Sequence, residues 1–244
     1  WYEDADFTIQ PDEACKRQGG LGIWINHAFP FIPHNKFYLE EDFIKDITNH
    51  SDYIFTFSEA WAEWHKHYNL PIEVVGMPKL DNLFNVEKEN TVILYAPTWN
   101  KDLTSLDKVN IENLKQYGEV IFRGHPAFHH NKYTLDEALE RSTIVISDYS
   151  SVGLESITLN TPTIMFESDK WNGKRYEHIS NDAMDAAICV TTQQELELAI
   201  QKYINNPKYL QKEREKYSKI LCEYQGVSSK KFVDTLETIK NNEK

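Results

Sequence analysis

The apolar positions fall into short runs separated by charged, helix-patterned stretches, most clearly across 144–166, IVISDYSSVGLESITLNTPTIMF. Ile144, Val145 and Ile146 are apolar and β-branched, as in a parallel strand buried on both faces. Ser147, Asp148, Tyr149, Ser150 and Ser151 then place hydroxyls and an acid where a helix begins. Residues 152–159 continue as one helical stretch with Val152, Ser156 and Leu159 on one side. Asn160, Thr161 and Pro162 stop it, and 163–166 form the next strand. The loop of this strand–loop–helix–strand unit lies at the carboxyl end of its first strand. Open α/β sheets bind ligands there, because free backbone N–H groups and the helix dipole favour phosphate. An ordinary βαβ unit with a good N-cap carries the same pattern, so this segment alone leaves both readings open.

The same alternation extends both ways. Residues 7–9 and 22–25 are weak strands, with His27 at a strand end or in a loop. Residues 39–48 are helical, 53–57 a strand, and Ser58 and Glu59 open a helix running to about Tyr68. Residues 72–75 form another strand, followed by a connection through Gly76 and Pro78, both breakers of regular structure. The charged stretch 86–90 lacks an apolar period and marks a domain boundary. Beyond it come a strand at 92–96, a helix at 111–117, a strand at 120–123 and a helix at 134–141. After the 144–166 unit the pattern predicts a loop over 167–181, a strand at 187–190 and a helix at 192–204. Two amphipathic, charged helices at 208–222 and 228–241 close the chain. Strands alternating with helices predict parallel sheets of the doubly wound type.

Composition narrows the function. A formal charge of −12 on 244 residues disfavours nucleic acid or an anionic membrane as a partner of the whole body, while leaving room for a locally positive anion site. Cys15, Cys189 and Cys222 are widely spaced, which predicts reduced thiols and a cytoplasmic setting. No apolar run has membrane-spanning length and no signal peptide opens the chain. The sequence starts at Trp1, which leads us to expect further protein upstream.

Four stretches follow predicted strands, where such sheets place their active loops. They are Pro97-Thr98-Trp99-Asn100, Arg123-Gly124-His125-Pro126, Asp148 to Ser151, and the loop after Glu167. Thr98, Ser150, Ser151 and the amides behind them can donate to phosphate oxygens. Arg123 or His125 can offset charge on a departing phosphate. Glu155 can accept from both hydroxyls of a ribose, or simply face solvent from its helix. His27 lies across the proposed boundary. It suits a general base where two lobes close on a cleft, or is merely exposed. His125, His129, His130 and Asp148 lack a recognised metal-ligand spacing, so no metal is expected. Trp61, Trp64, His65 and Tyr68 recur at helical spacing, which predicts core or interface packing. The absence of GxSxG, Walker and GxGxxG motifs removes the common hydrolase, NTPase and dehydrogenase readings.

With these residues laid out, the chain resembles the CDP-glycerol glycerophosphotransferase family, the teichoic acid primases and polymerases. The resemblance rests on VGMPKLD at 75–81, ILYAPTW at 93–99, RGHP at 123–126, the segment from Ser147 to Glu155, and QGVSSKK at 225–231, in the family's order. It implies an α/β, GT-B-like architecture of two Rossmann-like lobes with parallel sheets. The lobes would be an acceptor-side lobe over 1–85, a donor-binding lobe over 86–225 and a closing helix over 226–244. Only the residues before about Asn82 are available to the first lobe, where a full Rossmann-like lobe needs roughly a hundred, so that lobe is expected to be truncated.

By resemblance, glycerol phosphate or a related polyol phosphate moves from a CDP-linked donor to an acceptor hydroxyl. His27 matches the family's proposed base and His125 its other essential histidine. Ser150 and Ser151 match the phosphate-binding pair, with Thr98 and Arg123 beside them, Glu155 the ribose-binding acid, and Asp148 and Trp99 donor-site support. The family's Trp-His-Gly is Asn26-His27-Ala28 here, and Lys79 stands where arginine is usual. The implied reaction is displacement at the donor's β-phosphorus with CMP leaving, in teichoic acid or capsule-like polymer synthesis, with no obligatory cofactor. The expected partners are a CDP-polyol donor, a polyol-phosphate or lipid-linked glycan acceptor and no nucleic acid. The expected location is cytoplasmic, at the inner membrane face, with peripheral membrane contact through parts absent here. A nucleotide-sugar glycosyltransferase of the same architecture and a non-catalytic nucleotide-binding protein are the alternatives.

Overall fold

The computed structural model describes residues 20–25, 29, 41–98, 104–126, 129–167 and 178–242. Two all-parallel sheets organise them. The small sheet has strands β1 (Ile23–Ile25), β2 (Tyr53–Thr56) and β3 (Ile72–Val74) in the order β1-β2-β3. Helix α1 (Glu41–His50) precedes β2. Helix α2 (Glu59–His65), with a 3-10 turn over Lys66–Tyr68, joins β2 to β3. A second 3-10 helix, Pro78–Leu83, leads toward the large sheet.

The large sheet contains β4 (Val92–Ala96), β5 (Glu119–Phe122), β6 (Ile144–Ser147), β7 (Thr163–Phe166) and β8 (Ile188–Val190), ordered β5-β4-β6-β7-β8. Between them run α3 (Ile111–Leu114), α4 (Leu135–Arg141), α5 (Ser151–Thr158) and α6 (Ile179–Asp182). Helices α7 (Gln193–Asn205), α8 (Gln211–Leu221) and α9 (Ser228–Asn242) follow. Among the described residues, no helix is long and apolar enough to cross a membrane. The predicted strands at 7–9 lie outside the described residues.

The period of two along each central strand decides which helices cover which face. Leu94, Val145 and Met165 point to one side, against Leu139 of α4, Leu154 and Ile157 of α5 and Leu221 of α8. Their neighbours Ile93, Tyr95, Ile146 and Ile164 point to the other, against Leu114 of α3 and Leu196 and Ile200 of α7. Each fully buried aliphatic side chain is worth about 1.5–3 kcal/mol, so both faces must be covered. The first of these clusters continues into the small-sheet half through Phe57, Trp61, Met77 and Leu80. Helix α9 crosses back to the small sheet, with Phe232 edge-on to Phe55 at 5.1 Å and Ile239 beside Val75.

Two elements differ from the pattern-based reading. The helix predicted over 111–117 ends at Leu114, with Asn110 accepting from the Glu112 and Asn113 amides at its start. The second half of the predicted 167–181 loop includes α6, followed by a 3-10 turn at Ala183–Ala186. Its N-cap is His178, whose ring nitrogen accepts from the Ser180 amide at 3.1 Å. Histidine is not among the residues that announce a helix start.

Candidate functional site

Strand pairing sets the loops of the site side by side. Ala96 at the end of β4 pairs with Ser147 at the end of β6, and the Ser147 hydroxyl donates to the Ala96 carbonyl at 3.0 Å. Asp148 follows, fully buried, and its Oδ2 accepts from the Thr98 amide at 2.7 Å and the Ser105 amide at 3.2 Å. Its carboxylate therefore ties the chain after β4 to the end of β6. Burial raises its pKa to about 6, and its other oxygen, Oδ1, has no hydrogen-bond partner among the described residues.

Ser150 caps α5, accepting from the Val152 amide at 3.4 Å, and Ser151 is its first residue. Both are half-buried and sit with the first-turn amides at the carboxyl edge of the sheet. The helix behind them is locked. A Cβ on Gly153 would lie 2.5 Å from the Met165 sulfur, which shows how closely α5 lies on β7. Ser156 Oγ lies 2.8 Å from Thr163 Oγ1. At its far end Arg214, buried, donates to the Asn160 carbonyl at 3.3 Å and the Tyr209 carbonyl at 2.6 Å.

Beyond β5, the Arg123 amide donates to the Tyr95 carbonyl, and the half-buried guanidinium has no partner at Nε among the described residues. Burial lowers its pKa, while Glu155 nearby raises it. The His129 ring packs on Gly124 so closely that a Cβ there would meet it at 2.2 Å, and the Asn131 side chain donates to the Gly124 carbonyl. His125 follows. Burial first, and then the Arg123 cation, lower its pKa, which keeps the imidazole neutral near pH 7 and able to donate one hydrogen bond.

Glu155 does not face solvent from its helix. Its side chain is 1% exposed and pairs through Oε1 with Lys79 Nζ at 2.6 Å, while Oε2 has no partner among the described residues. The structure thus places Ser150, Ser151 and Glu155 on one helix, with Arg123 within electrostatic reach of Glu155, His125 two residues beyond Arg123, and Thr98 tied to Asp148. His27 and Trp99 lie outside the described residues. Among the described residues, no group of three or more His, Cys, Asp or Glu side chains is placed to hold a metal ion.

Lys79 was missed as a partner of the site, although VGMPKLD singled out its segment. The physical reason for that motif lies in α9. Asp81 accepts from the Ser228 amide at 2.9 Å and the Ser229 amide at 2.7 Å, and Met77 N–H donates to Ser228 Oγ at 3.1 Å. Two separated motifs, 75–81 and 225–231, are thus two halves of one contact. Facing them, a 440 Å³ apolar cavity opens at the carboxyl ends of the small sheet, lined by Ile25, Phe57, Met77, Phe232 and Val233 with Lys79 at its margin. Nearby, His178 sits between Trp61 and Trp64, with both ring distances at 5.3 Å.

Two all-parallel sheets, the larger with a capped helix start at its carboxyl edge, define a GT-B-like fold. Within that class the chain belongs to the CDP-Glycerol:Poly(glycerophosphate) glycerophosphotransferase family, whose model matches residues 41–238. It is 23% identical over 151 residues to the teichoic acid glycerol-phosphate primase of Staphylococcus aureus (strain NCTC 8325 / PS 47), a match covering 52% of this chain and 41% of that protein. The chain therefore spans well under half the length of this curated relative. Among solved structures it is similar to a histidine-to-alanine variant of the wall teichoic acid polymerase TagF, with a TM-score of 0.67, 19% identity, 93% of this chain and 70% of that one. A further TagF variant, soaked with CDPG, matches with a TM-score of 0.64, 18% identity, and 90% and 63% coverage. The S. aureus MnaA–UDP co-structure matches with a TM-score of 0.60, 12% identity, and 96% and 73% coverage. At these identities the structural matches establish the fold.

Proposed function

We propose that the chain carries the donor site of a transferase that moves glycerol phosphate, or a related polyol phosphate, from a CDP-linked donor to an acceptor hydroxyl. The observation that carries this reading is Glu155. A carboxylate buried at the base of an anion-ready helix start, with one oxygen paired and one unpartnered, suits two vicinal hydroxyls of a ribose. The cytidine diphosphate then runs toward Ser150, Ser151 and the first-turn amides of α5, with Thr98 and Arg123 flanking it. Family membership and the CDPG soaked into a TagF variant support a CDP-linked donor.

In the reaction the acceptor oxygen attacks the donor's β-phosphorus and the bond from that phosphorus to the CMP oxygen breaks. The acceptor proton passes to His27. Arg123 offsets charge on the departing CMP, and neutral His125 donates a hydrogen bond to it, interactions that strengthen as the bond breaks. The first 85 residues serve the acceptor and 86–225 the donor, and the segment 226–244 closes the chain, its helix α9 tying back to the small sheet. The product belongs to teichoic acid or a related surface polymer made at the inner membrane face.

The test is CMP release from CDP-glycerol in the presence of a polyol-phosphate or lipid-linked acceptor. His125→Ala should lower kcat on the order of a hundredfold or more with little change in donor affinity, the behaviour of a transition-state contact. Release of UDP from a UDP-sugar, or of CMP from a CMP-sugar, with CDP-glycerol inert, would move the chain to the glycosyltransferase reading.

A further inference from the structure

We propose that Lys79 is a positioning residue for the donor. It holds one oxygen of Glu155 so that the other stays turned to the ribose, and so makes nucleotide binding on the large sheet depend on the small sheet. This rests on the donor reading above and extends it to a residue with no assigned role.

Lys79 and Glu155 belong to different halves of the molecule. Lys79 sits in the 3-10 helix Pro78–Leu83 that follows β3 of the small sheet. Glu155 lies in the middle of α5, on the large sheet. The 2.6 Å ion pair between them spans the junction, with Glu155 1% exposed and Lys79 33% exposed. A carboxylate this deeply buried is tolerated when a cation and hydrogen bonds meet it. Lys79 meets Oε1, and Oε2 is left in a buried position without a donor among the described residues. An acceptor in that state is set to take a hydroxyl.

The ammonium also comes from a fixed platform. Gly76 has φ +76°, and a Cβ there would lie 2.3 Å from Ser228 Oγ and 2.4 Å from the Glu223 carbonyl. Met77 and Asp81 are bound to Ser228 and Ser229 at the start of α9. Residues 76–81 are thereby pinned between the small sheet and α9, and the position of Nζ is set there rather than by α5. Lys79 is also among the residues that line the apolar cavity. Methionine can keep a stem there and lose the charge, and arginine can keep the charge.

The experiment titrates CDP and 2′,3′-dideoxy-CDP into the full chain as parent, K79M and K79R, each checked for cooperative melting. The prediction is that K79M weakens CDP about tenfold, equivalent to about 1.4 kcal/mol. It should leave the dideoxy nucleotide, which has no hydroxyls for Glu155, within about twofold of the parent, and K79R should recover CDP binding to within about threefold. K79M binding CDP like the parent, or losing both nucleotides equally, overturns the Lys79 assignment while leaving the donor site in place. A K79R variant that melts normally yet no longer distinguishes the two nucleotides overturns it as well. A parent that binds neither nucleotide, or both alike, overturns the ribose reading and this inference together.

Discussion

Asp148 gives the most quantitative prediction. Its carboxyl is fully buried between Thr98 and Ser105, and burial raises its pKa from 3.8 to about 6. Each tenfold change in proton affinity is worth about 1.36 kcal/mol, so the displacement corresponds to about 3 kcal/mol. The sign follows from proton counting. Between pH 3.8 and 6 the folded chain holds this proton more often than the unfolded chain does. The group's contribution is therefore fully favourable below the unfolded value and is lost as pH rises through about 6. Asp148→Asn keeps an acceptor oxygen for the two amides and cannot titrate. Urea denaturation of parent and variant at pH 4.5 and 7.5 isolates the effect, because other groups cancel in the difference. The difference should shift by about 2 kcal/mol in the variant's favour between the two pH values. A difference constant to within about 0.5 kcal/mol would show that Asp148 ionises as freely in the fold as outside it, and would refute the reasoning.

Two further predictions concern stability. Burial holds His65 neutral, with its pKa lowered from 6.5 to about 3; the unfolded chain binds this proton first, so stability falls as pH drops below 6.5 toward 3. His65→Gln should reduce the loss between pH 7.5 and 5 by about 2 kcal/mol in urea denaturation, and an unchanged acid sensitivity would contradict this. Arg214 donates to the carbonyls of Asn160, Tyr209 and Pro207 behind the α5 helix. Arg214→Met, which removes all of these donations at once, should lower unfolding free energy by about 2–4 kcal/mol. A loss below about 0.5 kcal/mol would mean that α5 is held by packing alone.

The large sheet was legible because its strands are short, apolar and β-branched, and because Ser150 is a standard helix cap. The small sheet was harder to read. Its strands span three or four residues, and β1 carries a half-exposed pattern that gives periodicity little to act on. Helix α6 was invisible because a histidine caps it and only four residues follow. At the site, the helix start and the Arg123–His125 segment stood out as loops after strands. The burial of Glu155 did not, since a glutamate in a helix looks the same whether it faces water or a neighbouring lobe. Its partner Lys79 lies 76 residues away. Only tertiary structure brings that pair together, and only tertiary structure turns 75–81 and 225–231 into one contact.

The measurement that tests the central claim most directly is calorimetric titration of CDP into the parent chain and Glu155→Ala. Loss of two hydrogen bonds to a charged group is worth about 1.5–3 kcal/mol each, so CDP affinity should fall by at least about a hundredfold from parent to variant. Equal CDP affinity in the two proteins, or no binding to a folded parent, would contradict a donor site built on Glu155.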